Sequence, residues 1–265
     1  MRTDGLHPAI KKMLINVDDI LKIVKLVLLS GYIKGVKPLS LFLISEYGLG
    51  KTEIITNYKD KRILFATDIS YIGLLSELKE NKNVTHLVIP DFLKITMKKR
   101  STSDNLISLL NAGTEEGIGM IHLGNFKEDF KNRNIGIVVA TTKDSYNQRK
   151  KYWKGIGFLS RMIICSYSYS KDTTDKIITF INSEEYLNNN KKSRLDCLRK
   201  QEIKSTEQLN KQLNDIADKK FRTLKQLQTL AKCNALVRND NKVTIEDINE
   251  IKRLSKYLNL GYNKL

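Results

Sequence analysis

Proline and cysteine are both scarce in this chain, at 3 each in 265 residues. So little proline argues against a loop-rich or disordered chain. Cys165, Cys197 and Cys233 are odd in number and far apart, so neither a disulfide framework nor a metal-ligand spacing is present. His7, His86 and His122 stand apart from one another and read as structural or surface histidines. Long apolar runs are missing too. The most apolar stretch, 20–33, is interrupted by Lys22 and Lys25 and is too short to span a bilayer. With no signal-peptide pattern at its start, the chain is expected to be a soluble, intracellular, cytoplasmic protein with no membrane partner.

Negative charge is also in short supply. Lys and Arg number 46 against 29 Asp and Glu, a formal net charge of +17. An excess of that size points to a polyanionic partner, DNA above all, because Lys and Arg near phosphates release counterions. A solvated lysine-rich surface is the plain alternative. The charge is spread along the chain and does not sort into one part of it. Otherwise the balance is that of a globular protein, long enough for one large or two modest cores.

The informative stretch is 41–52, Leu-Phe-Leu-Ile-Ser-Glu-Tyr-Gly-Leu-Gly-Lys-Thr. It reads as a buried strand, a tight loop and the start of a helix. The loop fits the phosphate-binding pattern G-x-x-x-x-G-K-[ST] at each fixed position except the first, where Ser45 stands. Gly48 and Gly50 let the backbone bend so that its N–H groups face phosphate oxygens. Lys51 would reach the β- and γ-phosphates, the Thr52 hydroxyl would hold Mg²⁺, and the following helix would add its positive end. Ser45, Glu46, Tyr47, Gly48, Leu49, Gly50, Lys51 and Thr52 are therefore the candidate residues for a nucleoside triphosphate. A glycine turn with a solvated lysine is the plain reading. Serine fits the first position only if its backbone angles are ordinary.

Along the chain, the pattern predicts a helix over 16–30 capped by Asn16 and strands over 39–44 and 62–66. It continues with a helix over 70–80 facing inward through Ile72, Leu75 and Leu78, then a strand over 84–89. A helix over 103–112 and a hairpin over 117–134 follow, then strands over 135–140 and 162–167. Apolar strands alternating with helices argue an α/β fold, a parallel sheet covered on both faces. After residue 170 the pattern turns helical and polar. The expected organisation is a nucleotide-binding core over 1–170 and an all-helical lid over 171–265, with no internal repeats.

The order of these features resembles the AAA+ ATPases, an αβα P-loop NTPase fold. Among them it is most similar to the ATPase module of the minichromosome maintenance helicases and their relatives from mobile elements and phages, over about residues 39–255. Gly157-Phe-Leu-Ser-Arg161, followed by Met-Ile-Ile-Cys165, is similar to that family's Leu-Leu-Ser-Arg-Phe-Asp. By that match Arg161 is an arginine finger aimed at a nucleotide in a neighbouring subunit. A salt-bridged helix-ending arginine is its plain alternative. Phe221-Arg-Thr-Leu-Lys-Gln-Leu resembles the start of the family's lid helix, which makes Arg222 the second sensor. Val243-Thr-Ile-Glu-Asp247 resembles the start of the next helix, with Thr244 as cap. Ile135-Gly-Ile-Val-Val-Ala-Thr-Thr142 resembles the strand leading to the first sensor, Thr142, whose plain role is a strand-end cap.

The resemblance breaks at the acid-bearing strand. The family has Ile-Asp-Glu-Phe-Asp-Lys-Met where this chain has Ile89-Pro-Asp-Phe-Leu-Lys-Ile95. Pro90 replaces the metal-side aspartate, and Asp91 replaces the catalytic glutamate with a side chain one methylene shorter. Asp91 is then the remaining acid, as metal-side or as catalytic group. The interval from Thr52 to Asp91 is also too short for the family's DNA-touching insertion. The resemblance implies ATP and Mg²⁺ as cofactors, a homo-oligomeric ring or partial ring, and DNA as partner. A hydrolysis-deficient nucleotide switch is the alternative that Pro90 favours, and a protein-remodelling chaperone is another. Basic patches at Lys98-Lys-Arg100, at Lys127, Lys131 and Arg133, and at Arg149-Lys-Lys-Tyr-Trp-Lys154 are candidate nucleic-acid contacts.

Overall fold

Aliphatic runs separated by amphipathic segments give the alternation of strand and helix that the computed structural model displays over residues 17–124, 126–181, 193–195, 199–218 and 220–259. In chain order α1 (Asp18–Leu29) leads to β1 (Leu41–Ser45), α2 (Lys51–Thr56), the two-residue β2 (Tyr58–Lys59), β3 (Ile63–Phe65) and α3 (Tyr71–Glu80). Then come β4 (His86–Ile89), α4 (Phe92–Thr96), α5 (Arg100–Thr114), a hairpin of β5 (Ile118–Leu123) and β6 (Phe126–Arg133), and β7 (Gly136–Thr142). After these lie α6 (Lys143–Gly155), β8 (Ile163–Ser166), α7 (Lys171–Ile181) and the two-residue β9 (Ser193–Arg194). Helices α8 (Glu207–Lys211), α9 (Asn214–Ala217), α10 (Phe221–Val237) and α11 (Ile245–Leu254) complete the described chain.

Five strands form one sheet in the order β3-β4-β7-β1-β8, and every pairing in it is parallel. Strand residues alternate between the two faces. Leu41, Leu43, Val138, Ala140, Ile163 and Cys165 join one core with α1, α10 and α11. Phe42, Ile44, Ile137, Val139 and Ile164 join the other with α3, α5 and α6. This is an α/β fold with helices on both faces. Helix α1 shares the first of these cores, and every apolar residue from Ile20 to Leu29 is buried while Lys22 and Lys25 stay partly exposed.

Several expectations shift. Val17 occupies the N-cap position of α1, while Asn16 lies outside the described residues. Ser70 caps α3 by accepting from Gly73 N–H, but Ile72 faces solvent and Leu74 joins Leu75 and Leu78 in the core. The hairpin forms, with a register shift near Ile118 and left-handed backbone at Lys131 and Asn132. At α11 the capping box is complete. Thr244 N–H donates to Asp247, whose buried carboxylate also accepts from Arg238 and Asn234. Burial raises the pKa of Asp247, but these donors outweigh it and hold it below the ordinary range. No helix among the described residues is long and apolar enough to cross a membrane.

Candidate functional site

Loop 45–52 leaves the carboxyl end of β1, between neighbours β7 and β8. The next strand of this sheet in chain order after β1 is β3, three places away beyond β7 and β4, whereas β8 flanks the other side of β1. A reversal of strand order of this kind opens a crevice at the strands' carboxyl ends, where ligands bind in open α/β sheets. Within the loop Gly48 and Gly50 adopt left-handed φ values of 77° and 73°, which a side chain would strain. The space a Cβ would take at Gly48 is open. Ser45 is instead the last residue of β1, buried, and paired in register with Thr142. Its φ is not positive, so serine fits the first position of the motif without strain.

Lys51 folds back over the loop, donating from Nζ to the carbonyls of Glu46 (2.6 Å) and Ser45 (3.3 Å). Its partial burial lowers the pKa of the ammonium, against the opposing charges of Glu46 and Asp91. Thr52 is exposed on the first turn of α2. With only six residues, α2 has a small dipole, so backbone N–H groups are the loop's main anion donors. From the far side, the Tyr167 hydroxyl braces the loop by donating to Leu49 O at 2.6 Å. These residues suit a triphosphate with Mg²⁺. That ion typically keeps phosphate and water ligands and takes only one or two from the protein, and no cluster of three or more acidic, His or Cys side chains is present among the described residues.

Two further predicted residues share this edge. Thr142 ends β7 beside Ser45, and its hydroxyl caps α6 by accepting from Ser145 N–H at 3.3 Å. Asp91 follows β4 and Pro90. Its Oδ1 caps α4 by accepting from Leu93 N–H at 3.2 Å. Both show a capping role, and both stand at the strand ends that face the crevice.

Arg161 and Arg222 lie elsewhere. Arg161 precedes β8, at the sheet's amino edge, so it stands a strand's length, roughly 15 Å, from the loop edge. Its guanidinium donates to Gly157 O at 2.8 Å and pairs with Glu115 at 2.8 Å. Gly157 has φ 72°, a left-handed backbone that favours glycine, and the Arg161 Nη1 folds back to 2.6 Å from where a Cβ would stand. Arg222, at the start of α10, pairs with the other oxygen of Glu115 and donates to Ser160 Oγ at 2.8 Å. Burial would raise the pKa of Glu115, but the Arg222 hydrogen bond and the charges of Arg161, Arg222 and Lys37 hold it below its ordinary value.

This trio borders a cleft of about 590 Å³ whose cations also include Lys37, Lys225 and Lys232. Sequence reasoning named both arginines but missed Glu115 and Ser160, which gather them. Glu115 sits in a Glu-Glu pair at a helix end, a pattern with no local signal for a partner far along the chain.

The basic patches sort differently from expectation. Trp153 is fully buried against Phe42 and Phe92, so its ring belongs to the core and is out of reach of a base, whereas Tyr152 is half-buried and its hydroxyl donates to Asp104. Lys98 pairs with Asp68. Arg133 donates to the carbonyls of Leu78, Asn81 and Val84. On the hairpin, Lys127 and Lys131 are exposed. Comparison of the chain with protein-family models gives no match, and comparison with curated proteins gives none.

Proposed function

We propose that this protein is an AAA+ module that binds Mg²⁺–ATP at residues 45–52 and works as a DNA-associated oligomer. The observation that carries the reading is the loop itself. Two left-handed glycines, an ordinary Ser45 and an inward Lys51 stand at the strand-order reversal of a parallel sheet. Lys51 would exchange its two carbonyl partners for phosphate oxygens. Thr52 and Asp91 would hold the metal ion, which supplies charge neutralisation between the phosphates. The lid would be 171–265.

Arg161 and Arg222 support an oligomeric assembly. Both stand a sheet's length from their own loop, so a phosphate they contact belongs to a second copy. A head-to-tail contact of this kind joins two different surfaces and closes into a ring or runs on. Tyr47 on the loop and Phe221 on the arginine cleft are 90% and 84% exposed, one on each of the surfaces that would meet. The net charge and the hairpin lysines favour DNA as the partner.

A second reading is favoured by the end of β4. Pro90 offers no carboxylate, and Asp91 already spends one oxygen as a helix cap. On that reading nucleotide is bound as a switch and not turned over. The test is ATP turnover with Mg²⁺, with and without single- and double-stranded DNA, against Lys51→Ala. Turnover lost in that variant supports the motor. Lys51-dependent binding without turnover supports the switch. Nucleotide binding indifferent to Lys51 overturns both.

A further inference from the structure

A second cleft, of about 520 Å³, opens at the amino ends of β3, β4 and β7. Its cations are Arg62, Lys82, Arg133 and Lys200, and its lining includes no carboxylate. None of the four is ion-paired among the described residues. Arg133 sits half-buried on three carbonyls, which accept its hydrogen bonds but leave its charge uncompensated. The Arg62 guanidinium lies 4.3 Å over the Tyr32 ring, and its Nη1 is buried without a hydrogen-bond partner. Asp60, two residues earlier, is taken up by the Tyr32 hydroxyl and the Arg62 backbone N–H. Gathering uncompensated cations, two of them partly desolvated, is unfavourable unless an anion completes the site.

We infer that this cleft binds the phosphate backbone of nucleic acid, on the sheet edge opposite the nucleotide loop. Three features favour a polymer over a small anion. Lys82 and Lys200 are exposed at the cleft. At Val36 and Pro38 it adjoins the arginine-bearing cleft, so the positive surface continues along the edge. Arg133 and Asn134 also form the base of the hairpin that carries Lys127 and Lys131. With Asn83 and Asn134 as the only side-chain amides in the lining, phosphate contacts dominate and binding is largely independent of sequence. The inference takes its choice of partner from the proposed DNA association but does not depend on nucleotide binding.

The test compares Lys82→Glu/Lys200→Glu, Lys82→Arg/Lys200→Arg and Lys127→Glu/Lys131→Glu for binding of a labelled short DNA duplex, and of the same single strand, over a salt series. Removing two phosphate contacts weakens affinity by about tenfold per lysine at about 0.1 M salt and lowers the salt slope by about 2. The expected result is that loss in Lys82→Glu/Lys200→Glu, retention in the arginine pair, and an unchanged thermal unfolding midpoint in every variant as the check on folding. Wild-type affinity and slope in Lys82→Glu/Lys200→Glu overturn the inference. If only the hairpin pair then loses binding, DNA association stands and this cleft is not its seat. No binding of either DNA by the unaltered protein at low salt overturns both.

Discussion

The carboxyl and amino edges of the sheet hold their charged groups in opposite ways. At the carboxyl edge, one short stretch of sequence makes the site. Lys51 is satisfied by carbonyls of its own loop, and the backbone bends at two glycines within it. At the amino edge, Arg161 and Arg222 are brought together from distant segments and locked onto Glu115. The first arrangement can give up its internal hydrogen bonds to a ligand with little rearrangement. The second is pre-oriented, with both guanidiniums aimed by a shared carboxylate, so less entropy is lost when they meet an anion. On the proposed reading, one edge would receive phosphate and the other would be presented to it.

Breaking the amino edge gives the largest expected effect. Arg161→Ala lowers turnover by about 10³-fold if the guanidinium stabilises the transferring phosphoryl group in a second copy. Nucleotide affinity of the isolated subunit stays unchanged, because the loop is a sheet's length away. Turnover against protein concentration, with sizing in the presence of ATP, checks this. Equal losses in affinity and turnover would place Arg161 at its own subunit's nucleotide.

The same edge carries a pH response through His86. His86 is fully buried between Ser30 and Thr85, and burial drives its pKa down from 6.5 to about 4. The folded state therefore keeps His86 neutral while the unfolded chain takes up a proton as pH falls through 6.5. Stability is complete above that pH, is lost between 6.5 and about 4, and levels off below. The loss from this group is up to about 3 kcal/mol, roughly a hundredfold in the folding equilibrium. Denaturant titrations across that range should show the decline, and His86→Gln should flatten it.

How much of each edge could be read from sequence follows from the same contrast. The glycine loop at 45–52, the strands around it and the capping box at Thr244 and Asp247 are legible because spacing within a few residues determines them. The pairing of Arg161 with Arg222 through Glu115 is not, because three segments meet there only after the sheet and α10 have packed. Trp153 shows the limit from the other side. Its setting among lysines looks like a stacking surface, yet α6 turns it inward to Phe42 and Phe92. Arg133 likewise reads as a hairpin cation, and only the fold reveals the three carbonyls that hold it.

At the carboxyl edge, changes should produce smaller and graded effects. Pro90→Asp restores a carboxylate at the end of β4, and turnover should rise about tenfold if the metal-side acid is what limits it. Unchanged turnover would mean that Asp91 already serves the metal and the missing group is the base.

The smallest expected effect tests whether the loop is as self-sufficient as its sequence implies. Tyr167 lies just past β8, outside the motif, and donates to Leu49 O across the gap between two strands. Its ring stands 5.5 Å from that of Tyr169. Tyr167→Phe keeps the ring and removes only the hydroxyl, so the core contact survives while the loop loses one brace. A single neutral hydrogen bond contributes about 1 kcal/mol, so nucleotide affinity should fall about fivefold. The maximal rate should be little changed, because the brace acts on the loop and not on the reacting atoms. Titration with a fluorescent nucleotide measures the first effect, and turnover at saturating ATP the second. Unchanged affinity would mean the loop holds its shape by local sequence alone. A large fall in rate would mean that the far side of β1 takes part in the chemistry.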